Sequence, residues 1–150
     1  MDKPPLKGLS GAVDGNGFES LDGLKVSVDE LVYQPQVLTA PDRPHCFAYY
    51  ITIANETDHT ITLKGRKWVV KESNGEVTAV EGDGLVGEMP TLEPGGSFSY
   101  NSFHVIHSRR AMASGSYIGL DETGRRVLAV IPAFEMVVPV ELDGPEIGYA

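Results

Sequence analysis

Apolar residues along most of this chain recur at every second position, the period of a strand with one buried face. Leu24, Val26 and Val28 alternate with Lys25, Ser27 and Asp29, and Phe47, Tyr49, Ile51 and Ile53 alternate with Ala48, Tyr50, Thr52 and Ala54. Ile61 and Leu63 open a third run that Trp68 and Val70 continue on the opposite parity. That change of face predicts a bulge or sharp coil near Gly65. Asn74-Gly75 predicts a type I′ hairpin between a strand ending near Lys71 and one starting near Glu76. Glu93-Pro94-Gly95-Gly96 marks a second turn, leading into Phe98 and Tyr100. Asp121-Glu122-Thr123-Gly124 marks a third, between the runs 115–120 and 125–131. Phe134, Met136 and Val138 form a last strand, with Pro132 suited to an edge or a bulge. No stretch of roughly ten residues keeps a helical period of about 3.6 free of glycine or proline. Short strands separated by turn signals predict an all-β sandwich or barrel. Trp68 is expected to fill the space between its sheets.

The length of 150 residues fits one domain, and 17 glycines with 10 prolines fit many turns. Residues 1–23 are glycine-rich and poor in large apolar groups, so they are expected to form a flexible N-terminal segment. The domain proper is placed at 24–140, with a C-terminal tail over 141–150. The single cysteine, Cys46, excludes an internal disulfide and fits a reducing compartment. Met1-Asp2-Lys3-Pro4-Pro5 lacks the regions of a signal peptide, and no apolar run reaches the roughly 18–20 residues of a membrane helix. A soluble cytoplasmic domain is expected. The formal charge of −9 repels nucleic-acid backbones and anionic membranes and attracts cations or a basic partner surface.

Candidate chemistry is sparse. Gly82-Asp83-Gly84-Leu85-Val86-Gly87 matches the G-x-G-x-x-G pattern of phosphate-binding turns, yet Pro90 and Pro94 forbid the helix that pattern needs. Asp83 and Glu88 would also repel a phosphate. A loop between strands with positive φ is expected, and Gly82, Asp83, Gly84, Gly87 and Glu88 are its candidate ligand residues. The four histidines are His45, His59, His104 and His107. On a strand, His104 and His107 point to opposite faces, so exposed or capped histidines are expected rather than a metal site. Ser114-Gly115-Ser116 is not a nucleophile elbow, Cys46 is read as a buried inert thiol, and Asp121-Glu122 as solvated turn residues. Asn55-Glu56-Thr57 reads as a polar turn. No catalytic residue is assigned. Lys64, Arg66 and Lys67 on one strand, with the pairs Arg109-Arg110 and Arg125-Arg126, are candidate contacts for an anion or a partner carboxylate. Against that stands the reading of an ordinary solvated sheet face.

Taken in order, several segments resemble the ApaG domain family. They are Phe47-Ala48-Tyr49-Tyr50-Ile51-Thr52-Ile53 with Asn55, Gly65-Arg66-Lys67-Trp68-Val69-Val70, Asn74-Gly75, and Val80 through the glycine loop to Met89-Pro90. Leu92-Glu93-Pro94-Gly95-Gly96-Ser97-Phe98-Ser99-Tyr100-Asn101-Ser102, Gly115-Ser116-Tyr117 and Ile131-Pro132-Ala133-Phe134 continue the match. The resemblance implies an immunoglobulin or fibronectin type III-like sandwich. It also implies a partner-binding module, since related domains occur in F-box proteins and in a protein that interacts with DNA polymerase delta. For bacterial members it implies a link to cobalt and magnesium tolerance and proximity to a dinucleoside-tetraphosphate hydrolase. Arg66-Lys67-Trp68 departs from the family's Arg-His-Trp, Ser102-Phe103 from its Ser-Gly, and Arg110-Ala111-Met112 from its Gly-x-Met. The expected function is a non-enzymatic protein-interaction module, monomeric or weakly self-associating, with an unidentified protein partner and no nucleic acid or membrane. The alternative is a polyphosphate- or dinucleotide-binding or hydrolysing protein that uses the glycine loop with a divalent cation, the sole cofactor considered.

Overall fold

Among the residues that the computed structural model describes, 17–35 and 43–140, the alternating runs form nine strands. They are β1 (Glu19–Ser20), β2 (Leu24–Tyr33), β3 (His45–Asn55), β4 (Ile61–Glu72), β5 (Val77–Asp83), β6 (Thr91–Leu92), β7 (Ser97–Ile106), β8 (Arg110–Asp121) and β9 (Arg126–Val137). Six of them make one sheet, ordered β1-β9-β8-β4-β5 with β6 also on β4, and β2-β3-β7 make the other. Phe47, Tyr49, Ile51 and Ile53 of β3 face Trp68, Val70, Tyr117 and Ile131 of the larger sheet, all buried in one core. The molecule is thus an all-β sandwich of the immunoglobulin or fibronectin type III kind. Trp68 lies between the sheets at 2% exposure, as its place in the pattern requires.

The register explains the change of parity in β4. Its pairing with β8 slips between Leu63 and Gly65, so Lys64 is an extra residue and everything beyond it changes face. A second slip, between Ala113 and Gly115, places Pro132 where β9 carries the surplus residue and a missing amide costs no ladder bond. Opposite Trp68 stands Gly115, where an added Cβ would lie 2.1 Å from the Lys67 carbonyl oxygen. With no side chain there, the indole meets Phe134 edge-on at 5.8 Å between centroids.

Three expectations change. The turn at 72–75 is not type I′, because Gly75 alone among its residues has positive φ, at 94°. The Gly75 amide donates to the Glu72 carbonyl at 2.9 Å, and the Asn74 side chain accepts from the Glu76 amide at 2.9 Å. That side-chain bond favours the right-handed conformation at Asn74 and makes a type I turn followed by a left-handed glycine. Further upstream, residues 19–20 fall in the segment expected to be flexible, yet β1 pairs in parallel with β9 through Glu19–Val127 and Ser20–Leu128. Two residues are too few to show a period. The remainder of that segment and the tail over 141–150 lie outside the described residues. His104, expected exposed or capped, points inward instead. It shares the inner face of β7 with Tyr100 and Ile106 and packs on Tyr49 and Trp68 at 4.8 and 4.6 Å between centroids.

Burial pushes His104 down from 6.5 to about 4. Its neutral form is therefore favoured by folding. This contribution is complete above pH 6.5 and fades as the pH falls toward 4, by up to about 3 kcal/mol. Urea denaturation across that window should show the loss in the wild type and a flatter profile in His104→Phe. Gly115→Ala should lower stability by about 3 kcal/mol or more, measured as a shift in the denaturation midpoint at constant m-value.

Candidate functional site

β5 leads into the glycine loop, whose geometry follows from two local demands. Leu85 is fully buried as a peg in the core. The chain must then reverse at once, and it does so through a tight turn in which Leu85 and Glu88 exchange amide-carbonyl bonds of 2.7 and 3.2 Å. The two residues between them, Val86 and Gly87, have φ of 51° and 83°. This is the type I′ arrangement expected at Asn74-Gly75, found one hairpin later. No helix follows Gly87. A β-branched residue in the left-handed region is strained, and Val86 holds that strain while 60% exposed.

Arg66 belongs to this loop. It projects from β4 beneath Gly82, where an added Cβ would lie 2.7 Å from the guanidinium. Its Nη1 donates to the carbonyl oxygens of Asp83 and Gly84 at 2.9 and 3.1 Å. The structure therefore joins two sets of candidates, the glycine loop and Arg66, and gives the loop a polarity opposite to that of a phosphate cradle. Carbonyl oxygens converge on a cation, while the amides of Gly84, Leu85 and Glu88 are bonded to Lys64, Glu88 and Leu85 carbonyls. Arg66 is no solvated sheet residue. Beside it, Lys67, Glu81, Asp83 and Phe18 rim a depression of about 310 Å³.

The other arginines are dispersed. Arg110 opens β8 and lies 3.4 Å from Glu135. Arg109 precedes it, and its carbonyl accepts from the Val138 amide. Arg125 lies at the far end of β8, against Asp121 at 3.1 Å and Glu19 at 3.7 Å, and Arg126 sits 5.8 Å from the Phe18 ring centroid. These groups do not converge on one anion.

Three polar residues hold the loops. Glu72, its side chain fully buried, accepts from the amides of His107 and Ser108 at 2.9 and 2.7 Å and from Arg43 at 3.3 Å. Asn55 donates to the His59 and Leu92 carbonyls and accepts from Thr57, the polar turn read from the sequence. Asp121 is buried rather than solvated. The Thr123 hydroxyl, then the amides of Arg125 and Thr123, bring its carboxyl down to about 2. His59 Nδ1 and Glu122 meet at 2.8 Å, so His59, Asp121 and Glu122 place potential metal donors within 4.8 Å of one another. Sequence spacing gives no sign of this group, because His59 and Glu122 come from different loops. Glu122 also accepts from the Thr60 amide, and Asp121 binds the Arg125 guanidinium, a cation that competes with any ion there. Cys46 is buried, and burial raises its thiol.

Replacing the strained residue tests the loop geometry. Val86→Asn should raise stability by about 1 kcal/mol, since asparagine tolerates the left-handed region. Gly84→Ala should lower it, because φ is 67° there and the new Cβ would meet the Glu88 carbonyl at 2.7 Å. Thermal melts of the two variants give the signs.

A family model described as the ApaG domain matches residues 37–120. The chain is 37% identical over 116 residues to Protein ApaG of Shewanella frigidimarina, covering 77% of this chain and 91% of that one. It is 42% identical over 95 residues to Protein ApaG of Xanthobacter autotrophicus, covering 63% and 73%. The crystal structure of the ApaA protein from Bordetella pertussis superposes with a TM-score of 0.69 at 30% identity, over 77% of this chain and 94% of that one. Sequence and fold agree with the order of strands and turns described above, and the chain belongs to the ApaG domain family.

Proposed function

We propose that this chain is a non-enzymatic binding module of the cytoplasm, acting through contact with a protein partner. The observation that carries the reading is apolar surface presented on a rigid frame. Phe103 on β7 and Val86 at the loop tip are each 60% exposed, and Met89 beside that tip is 48% exposed. The side chains best suited to chemistry serve the architecture instead. Glu72, Asn55 and Asp121 bind backbone groups, and His104 is packed among aromatic rings. Among the described residues no helix is long and apolar enough to cross a membrane.

The cobalt and magnesium tolerance implied by the family then runs through the partner rather than through an ion held by this chain. Arg125 beside Asp121 supports that reading. Against the polyphosphate alternative, the glycine loop's amides at 84, 85 and 88 are already bonded within the protein.

Thermal melts and capture experiments distinguish these readings. Magnesium, cobalt, pyrophosphate and a dinucleoside tetraphosphate should leave the melting temperature unchanged, while the immobilised full chain should retain a protein partner saturably. A melting temperature that rises with the concentration of one of these ligands overturns the reading by linkage.

A further inference from the structure

The smaller sheet has a register slip of its own, and on the outer face it has a chemical result. The pairing of β2 with β3 slips between Val28 and Glu30, so Asp29 and Glu30 together stand opposite Tyr50. In a straight strand consecutive side chains alternate faces, and Glu30 would point into the core. The bulge turns both carboxylates outward over one aromatic ring while returning Leu31 and Tyr33 to the inside. Tyr50 is 38% exposed. Asn101 pairs with it on β7, and Phe103 follows one pair along the same face. Asp29, Glu30, Tyr50, Ser99 and Asn101 line a depression of about 380 Å³.

Part of this surface is fixed in advance. Thr52 donates to Asp29 at 2.5 Å and meets the Ser99 hydroxyl at 2.8 Å, and Ser27 donates to the other Asp29 oxygen at 2.8 Å. These bonds hold the Asp29 carboxyl below its ordinary range, hence ionised at neutral pH. Neither carboxylate has a cationic partner among the described residues, and no basic side chain lines the depression. Two outward carboxylates beside exposed aromatic rings, on a chain of formal charge −9, complement a planar cation. A guanidinium stacks on a ring face and offers paired N–H donors to a carboxylate at the same time. An ammonium does only part of this.

We propose that the outer face of the β2-β3-β7 sheet, centred on Asp29, Glu30 and Tyr50, docks an arginine-bearing basic segment of a partner protein. The proposal rests on the binding-module reading and names the surface that reading leaves open.

The test uses the full chain, ¹⁵N-labelled, titrated with three capped peptides, acetyl-GRGRG-amide, acetyl-GKGKG-amide and acetyl-GEGEG-amide. The arginine peptide should give saturable shift changes at residues 29–30, 50, 99–103 and weaken with added salt. The lysine peptide should bind several-fold more weakly and the glutamate peptide not at all. Glu30→Gln and Tyr50→Ser are surface changes whose folding is checked by their amide spectra. Each should reduce arginine-peptide affinity, and together by about tenfold or more. Arginine-peptide shifts that centre elsewhere, affinity unchanged in the double variant, or no saturation at millimolar peptide overturn the proposal. The double variant also separates the two readings. If it retains a partner captured by the wild type as fully as the wild type does, the module stands and this surface falls. If neither protein captures a partner saturably, the module reading itself falls.

Discussion

Where β8 runs beside β4, the two backbones approach more closely than a side chain permits. A methyl group at Gly115 would stand 2.1 Å from the Lys67 carbonyl oxygen, and one at Gly119 would stand 2.5 Å from that of Thr62. Glycine within a strand weakens it locally, so the compensation must come from what the close approach allows. Here it is the Trp68 indole, buried over the vacant position and touching Tyr49, His104 and Phe134. Those rings belong to β3, β7 and β9, so one tryptophan touches strands of both sheets. The inward turn of His104 follows from the same packing, since an imidazole is the side chain that closes this cluster on the β7 side.

Polar groups close the ends of the sandwich as the tryptophan closes its middle. Glu72 fastens the turn after β7, Asn55 ties the end of β3 to β6, and Asp121 shapes the β8–β9 turn. Each is buried, and each is satisfied by backbone donors or acceptors, the condition under which such burial is tolerable. A residue so occupied is poorly placed to act on a ligand. The acids left for recognition are those whose oxygens face solvent, and the Asp29-Glu30 pair differs from the buried three in that respect.

Much of the fold is legible in the residues because alternation is a strong and local signal. The parity change between Leu63 and Trp68 locates a bulge, and Pro132 locates another. The turn type at Asn74-Gly75 is less legible, because a side-chain bond within the turn decides it. The type I′ turn is formed by Val86-Gly87, where burial of Leu85 outweighs the local preference of valine. Of the candidate ligand loop, the sequence shows the glycines but not their neighbour. Nothing local says that Arg66 lies beneath Gly82, because that contact depends on the register of two strands. The His59–Glu122 contact is hidden for the same reason, its partners standing 63 positions apart in the chain.

The bulge in β2 also bears on how this strand can change length. Its pairing needs one residue opposite Tyr50, and the chain supplies two, Asp29 and Glu30. Loss of either acid leaves Val28 and Leu31 inside and the rest of the register intact, whereas loss of Ser27 or Leu31 turns part of the strand inside out. Topology therefore accounts for one acid, not two. The register does not require the second, and its retention in a lineage would trace selection on the surface rather than on the core.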